Sequence, residues 1–67
     1  MPELGNNIRA AREECGWTQA ELAARVGVSR KTINTVENGV FVPSTVIALR
    51  IARALDRPVE ALFFLPG

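Results

Sequence analysis

Sixty-seven residues with 48% apolar content and a formal charge of +1 describe one small globular domain spanning residues 1–67. One cysteine and no histidine exclude a disulfide framework, a credible zinc site and a His-activated nucleophile. Eight Lys/Arg against seven Asp/Glu are too balanced to announce a nucleic-acid partner by total charge, so any such reading rests on where the charges stand.

In chain order the pattern predicts five helices and no strand, because no stretch alternates apolar and polar residues with β-branched content. Helix one is expected from about Asn7 to Cys15, stopped by Gly16, with an apolar stripe of Leu4, Ile8, Ala11 and Cys15. Cys15 reads as a small core hydrophobe, and Arg12 lies beside the stripe at the core edge. Trp17 is expected under the junction of helices one and two.

Residues 19–38 carry the strongest local signal. Thr18-x-x-Glu21 is a capping box ahead of helix two. Gly27 can turn the chain with φ > 0, and Ser29 can cap helix three. Leu22 and Val26 are i,i+4 on one helix, Ile33 and Val36 i,i+3 on the next, so both stripes can face one core, with small Ala23 where the helices cross. Helix three stops near Asn38-Gly39, followed by an apolar loop, Val40-Phe41-Val42-Pro43.

Helix four starts at its cap, Ser44, and runs to about Leu55. It is apolar nearly all round, interrupted only by Arg50 and Arg53, so it is either central or covered on a second face by a partner. Pro58 fits the first turn of a short helix five, with Glu60 near its N-terminus. Leu62-Phe63-Phe64-Leu65 then supplies four large apolar residues that one helix cannot turn toward one core.

Two short helices joined at Gly27 form a unit that can present its second helix to DNA. On that helix Arg30 and Lys31 can bond guanine or phosphate, Asn34 can bond adenine, and Thr32 and Thr35 can meet a thymine methyl. Thr18 and Gln19 stand at a helix N-terminus, where free N–H groups favour a phosphate, although Thr18 is first of all a cap. The plainer reading of the same residues is a solvated helix face; DNA contact is the favoured one, and which of Arg30 and Lys31 would touch a base is open.

These residues together resemble the Cro/phage-repressor type, or XRE, helix-turn-helix family. The resemblance is carried by Ile8-Arg9-x-x-Arg12-Glu13-x-x-Gly16, Thr18-Gln19-x-Glu21-Leu22-Ala23, Gly27-Val28-Ser29, Ile33-x-x-Val36-Glu37-Asn38-Gly39 and Pro43-Ser44, over about residues 5–63. It implies a five-helix, all-α domain that binds operator DNA as a dimer and regulates transcription. It implies further that Arg30, Lys31, Thr32, Asn34 and Thr35 face the bases. Thr18, Gln19, Ser29 and Asn38 would face phosphates, and Arg12 and Glu37 would form an ion pair between helices one and three. The chain departs from the pattern at Val40-Phe41-Val42, where Lys or Arg is common, and at Trp17, where an aliphatic residue is more usual.

The expected function is a sequence-specific regulator, a repressor acting as a homodimer through Leu62, Phe63, Phe64 and Leu65 with part of helix four on a palindromic operator; Phe41 is a further candidate for that interface. The alternative is a protein-interaction module, antitoxin-like or an adaptor, on the same fold. The acids are scattered, adjacent Glu13 and Glu14 point apart on a helix, and no Gly-rich phosphate loop occurs, so no enzyme is expected. No cofactor, metal or small-molecule ligand is implied. No apolar run reaches 18 residues and the N-terminus lacks an apolar core, so the chain is expected to be cytoplasmic, with no membrane span or signal peptide.

Overall fold

A computed structural model describes residues 4–67; the expectations for Met1–Glu3 lie outside it. Its elements are β1 (Gly5–Asn6), α1 (Ile8–Glu14), α2 (Gln19–Val26), α3 (Arg30–Glu37), α4 (Thr45–Leu55), α5 (Val59–Leu62) and β2 (Phe63–Phe64). The five expected helices are all present.

Helix starts follow local chemistry. Thr18 accepts from the Glu21 N–H while the Glu21 carboxylate accepts from the Thr18 N–H at 2.8 Å, which completes the capping box on α2. Ser29 and Ser44 cap α3 and α4 by accepting from the N–H groups of Thr32 and Ile47. Pro58 stands at the N-cap of α5, one position outside the first turn.

Helix ends share one device. After α1, α2 and α3 the chain passes through a left-handed glycine: Gly16, Gly27 and Gly39. In each case the next residue donates back across the turn, as Val28 does to the Ala23 carbonyl at 3.1 Å. After α4 the same position is taken by Asp56, at φ 55°, with the Arg57 N–H donating to Ala52.

The core collects Ile8, Leu22, Val26, Ile33, Val36, Ile51, Leu55, Leu62 and Phe63 with small Ala11, Ala23 and Ala52. α2 packs against both α3 and α4, and the small side chain of Ala23 is among the buried residues of that seam.

Three expectations are corrected. The first is the absence of strands: Gly5↔Phe64 and Asn6↔Phe63 form an antiparallel ribbon that joins the two ends of the domain. The Phe64 ring lies over Gly5, where a Cβ would stand 2.3 Å from it, so a side chain there would displace the ring. The second concerns the four apolar residues at the C-terminus. Leu62 and Phe63 are buried in the protomer's own core, and only Phe64 and Leu65 remain exposed. The change from helix to strand at Phe63 puts Phe63 and Phe64 on opposite faces, so Leu62 and Phe63 have no surface left to offer a partner.

The third is Cys15, which is exposed. α1 ends at Glu14, and its inward positions are Ile8, Ala11 and Arg12, so the buried third place in the i, i+3, i+4 set belongs to an arginine. α4 is also less enclosed than an all-round apolar helix suggests: Ile51, Ala52 and Leu55 face the core, while Val46 and Leu49 are more than half exposed.

Candidate nucleic-acid interface

α3 is amphipathic. Ile33 and Val36 are fully buried and seat the helix, and the opposite side carries exposed Arg30, Lys31 and Asn34, with Thr32 and Thr35 half-buried between. The N-terminal end of α3 is fixed by Gly27, by the Ser29 cap and by a 2.9 Å hydrogen bond between the Ser29 and Thr32 hydroxyls. The Thr35 hydroxyl donates to the Thr32 carbonyl at 3.0 Å, so both threonine hydroxyls are engaged by their own helix. Arg30 and Lys31 have no salt-bridge partner among the described residues.

Behind this face lies a polar network centred on Glu37. Its side chain has 0% exposure, yet its carboxylate accepts from Arg12 Nε at 2.7 Å, Arg12 Nη2 at 3.2 Å, Gln19 Nε2 at 3.1 Å and Arg9 Nε at 3.4 Å. Arg12 also donates to the Trp17 carbonyl at 2.8 Å. Burial is the largest single influence on Glu37 and opposes its ionisation. The hydrogen bonds from Arg12, Gln19 and Arg9 and the Arg12 charge together outweigh it and hold the carboxyl below the ordinary range. Glu37 in turn raises the Arg12 guanidinium pKa, chiefly through their hydrogen bond.

The network reaches the surface through amides. Gln19 accepts from Asn34 Nδ2 at 3.3 Å, and Asn38 donates to the Asn34 carbonyl and side-chain oxygen at 2.9 and 3.1 Å. Asn38 accepts from Arg9 Nη2 at 2.9 Å. α1, α2 and the C-terminal end of α3 are thereby tied together on one side of the domain, with Gln19 at the first position of α2.

Of the expected site residues, the network therefore joins Arg12, Gln19, Asn34, Glu37 and Asn38. Arg30, Lys31, Ser29, Thr32 and Thr35 stand apart from it, on the N-terminal half and middle of α3. Thr18 remains at the α2 cap. Asn34 has one partner on its amide oxygen and one on its amide nitrogen, which leaves one lone pair and one N–H for an adenine edge. Arg9 was given no role by sequence reasoning. Its signal was position alone: it lies i,i+3 from Arg12 on α1, which brings both guanidinium groups to Glu37.

The loop after α3 carries Val40, Phe41 and Val42 in exposed positions. Val40 and Phe41 line a shallow depression with Lys31, Thr32 and Thr35, so an apolar surface adjoins the basic end of α3.

The sequence profile of the Helix-turn-helix family matches residues 8–62. An uncharacterized HTH-type transcriptional regulator of Methanothermobacter thermautotrophicus is 54% identical over 59 residues, 87% of this chain and 86% of that protein. The antitoxin HipB of Escherichia coli is 33% identical over 54 residues, 81% of this chain and 57% of HipB. Among solved structures, the restriction-modification controller protein C.AhdI of Aeromonas hydrophila superposes with a TM-score of 0.77 at 33% identity, over 81% of this chain and 82% of that one.

Proposed function

The chain belongs to the XRE-type helix-turn-helix family of transcriptional regulators, and from that premise we propose that it is a sequence-specific DNA-binding repressor that acts as a homodimer. The observation that carries this reading is the pair Arg30 and Lys31: two cations without a salt-bridge partner among the described residues, on the exposed first turn of a helix whose other side is locked into the core. A helix so presented enters a major groove by its N-terminal residues. Arg30 and Lys31 then meet base edges or phosphates, with Thr32 and Thr35 behind them. Gln19, Thr18 and Asn38 flank the helix at positions suited to phosphate contact, and the Glu37 network fixes α2 and α3 relative to each other before DNA arrives.

The dimer surface is drawn from exposed Val46 and Leu49 on α4 with Phe64 and Leu65 on and beyond β2. Leu49 lines a cleft with Leu4, Val59 and Phe63, and exposed Phe64 is the next residue along β2, on its other face. Two-fold symmetry would set the α3 helices about 34 Å apart and select a palindrome.

The experiment is selection from a randomised duplex pool followed by affinity measurement on the selected site. Arg30→Ala/Lys31→Ala should abolish the sequence preference. Equal binding of that variant and the parent chain to the selected duplex would overturn the assignment of α3.

A second reading is favoured by the exposed Val40-Phe41-Val42 loop: an interaction module in the manner of an antitoxin, to which the likeness to HipB adds weight. A chain that yields no selected duplex would favour it.

A further inference from the structure

Of the eight basic side chains, Arg9, Arg12 and Arg57 form ion pairs among the described residues, and Arg30 and Lys31 belong to α3. The other three, Arg25, Arg50 and Arg53, converge on a cleft of about 470 Å³ between α2 and α4, lined also by Trp17, Val26 and Ala54. None of the three has a carboxylate partner among the described residues. Arg25 Nη1 donates to the Glu21 backbone carbonyl at 3.4 Å, while the Glu21 carboxylate, one turn before it, accepts from the Thr18 N–H. A near-neutral chain thus gathers three arginines without an ion pair among the described residues on a seam separate from α3.

We propose that this cleft is a phosphate-binding site. The Arg25 guanidinium lies 4.0 Å from the centroid of the half-buried Trp17 ring. A guanidinium stacked on an indole is held flat, with N–H groups at its edge left for a ligand, so less freedom is lost on binding. Arg50 reaches the other wall, with its Nη1 beside the Gly27 turn, 3.9 Å from where a Cβ would stand. Helix dipoles favour Arg25 and Arg53, each in the last turn of its helix, but Arg50 stands earlier in α4 and gains nothing from that source.

Three cations gathered round one cleft repel each other, and an anion between them converts that cost into attraction. A phosphate offers enough acceptor oxygens to meet three planar donor forks; a carboxylate has two. The phosphate can come from a free phosphorylated small molecule or from duplex backbone beyond the bases met by α3.

Trp17 is the chain's one tryptophan, so its emission reports on this cleft directly. The intact chain is titrated with inorganic pyrophosphate at constant ionic strength. A saturable change in emission is expected for a free-phosphate site. It should weaken by roughly tenfold or more in Arg50→Ala/Arg53→Ala, and persist in Arg30→Ala/Lys31→Ala. Both pairs are exposed, and thermal melts verify that each variant folds. This arm needs no DNA binding, so it stands or falls separately from the function proposed above. In the second arm, duplexes bound by the parent chain are compared with and without added flanking base pairs. A gain from the flanks that disappears in Arg50→Ala/Arg53→Ala assigns the cleft to duplex backbone. A pyrophosphate response unchanged in that variant, or no response in either arm, overturns the proposal.

Discussion

Glu37 shows how one residue can be fixed by contributions of opposite sign. Removed from solvent, it would be neutral; with donors from Arg12, Gln19 and Arg9 it stays ionised, with its pKa below the ordinary range. Breaking a buried pair by halves costs about 3–5 kcal/mol, because the remaining charge is left without a partner. For a domain of this size that is a large share of a total of roughly 3–10 kcal/mol. Urea unfolding of Arg12→Ala, Glu37→Ala and the double variant should therefore give single losses that exceed the coupled one; strict additivity would show that the pair is energetically silent.

The sign of the pH effect follows. The unfolded Glu37 titrates near 4.3, above its folded value. Its contribution is complete above that pH, declines as pH falls below it, and is gone beneath the folded pKa. Glu37→Gln should be less stable than the parent at pH 7 and lose less stability between pH 5 and pH 3. A residual acid limb remains from Glu21, whose pKa is lowered first by its hydrogen bond from the Thr18 backbone. Identical slopes for parent and variant would contradict the direction assigned to Glu37.

At the scale of elements, the four longer helices end through the same left-handed turn, three with glycine and one with Asp56. A side chain in that region carries a steric cost that glycine avoids. Asp56→Gly should raise stability by about 0.5–1 kcal/mol in thermal or urea unfolding; a loss of stability would mean that Asp56 makes a contact that outweighs its backbone cost.

The turn and the cap together aim α3. If Arg30 bonds a base in two places, Arg30→Ala should cost about 1–3 kcal/mol on the selected duplex and relax the preference at one position. Gln19→Ala should instead weaken all duplexes alike, since phosphates carry no sequence. Its removal also takes one donor from Glu37, so a matching loss of stability should accompany it. Titrations against a panel of single-base variants separate the two behaviours.

For the whole molecule, the ribbon between β1 and β2 settles which apolar residues are left for a partner. Leu49 is 55% exposed and Leu65 81%, so neither is needed by the protomer's core. Leu49→Asp and Leu65→Asp should leave the monomer folded and weaken self-association by about 2 kcal/mol or more if they are central to the interface. Binding to a full palindrome should then suffer more than binding to a half-site. Sedimentation equilibrium at micromolar concentration measures the first effect. A parent chain that is monomeric there would remove α4 and the C-terminal residues as the dimer surface.

The sequence alone determined the helices, their caps and their stops, because these depend on residues within a few positions of each other: Thr18 with Glu21, Ser29 with Thr32, Gly27 with Ala23. It also determined the buried stripes of α2 and α3, where spacing at the helical period decides which side turns inward. Only the tertiary structure decided the rest. α1 ends at Glu14, before Cys15, and Arg12 turns inward because Glu37, 25 positions away, accepts from its guanidinium. Leu62 and Phe63 go to the core and Phe64 and Leu65 to the surface because Phe63 and Phe64 pair with Asn6 and Gly5 at the far end of the chain. Arg25, Arg50, Arg53 and Trp17 carry no joint signal along the chain; they become one cleft only where α2 lies beside α4. Contacts at long sequence separation leave no periodicity for a local pattern to record, and the packing of the helices against each other creates them.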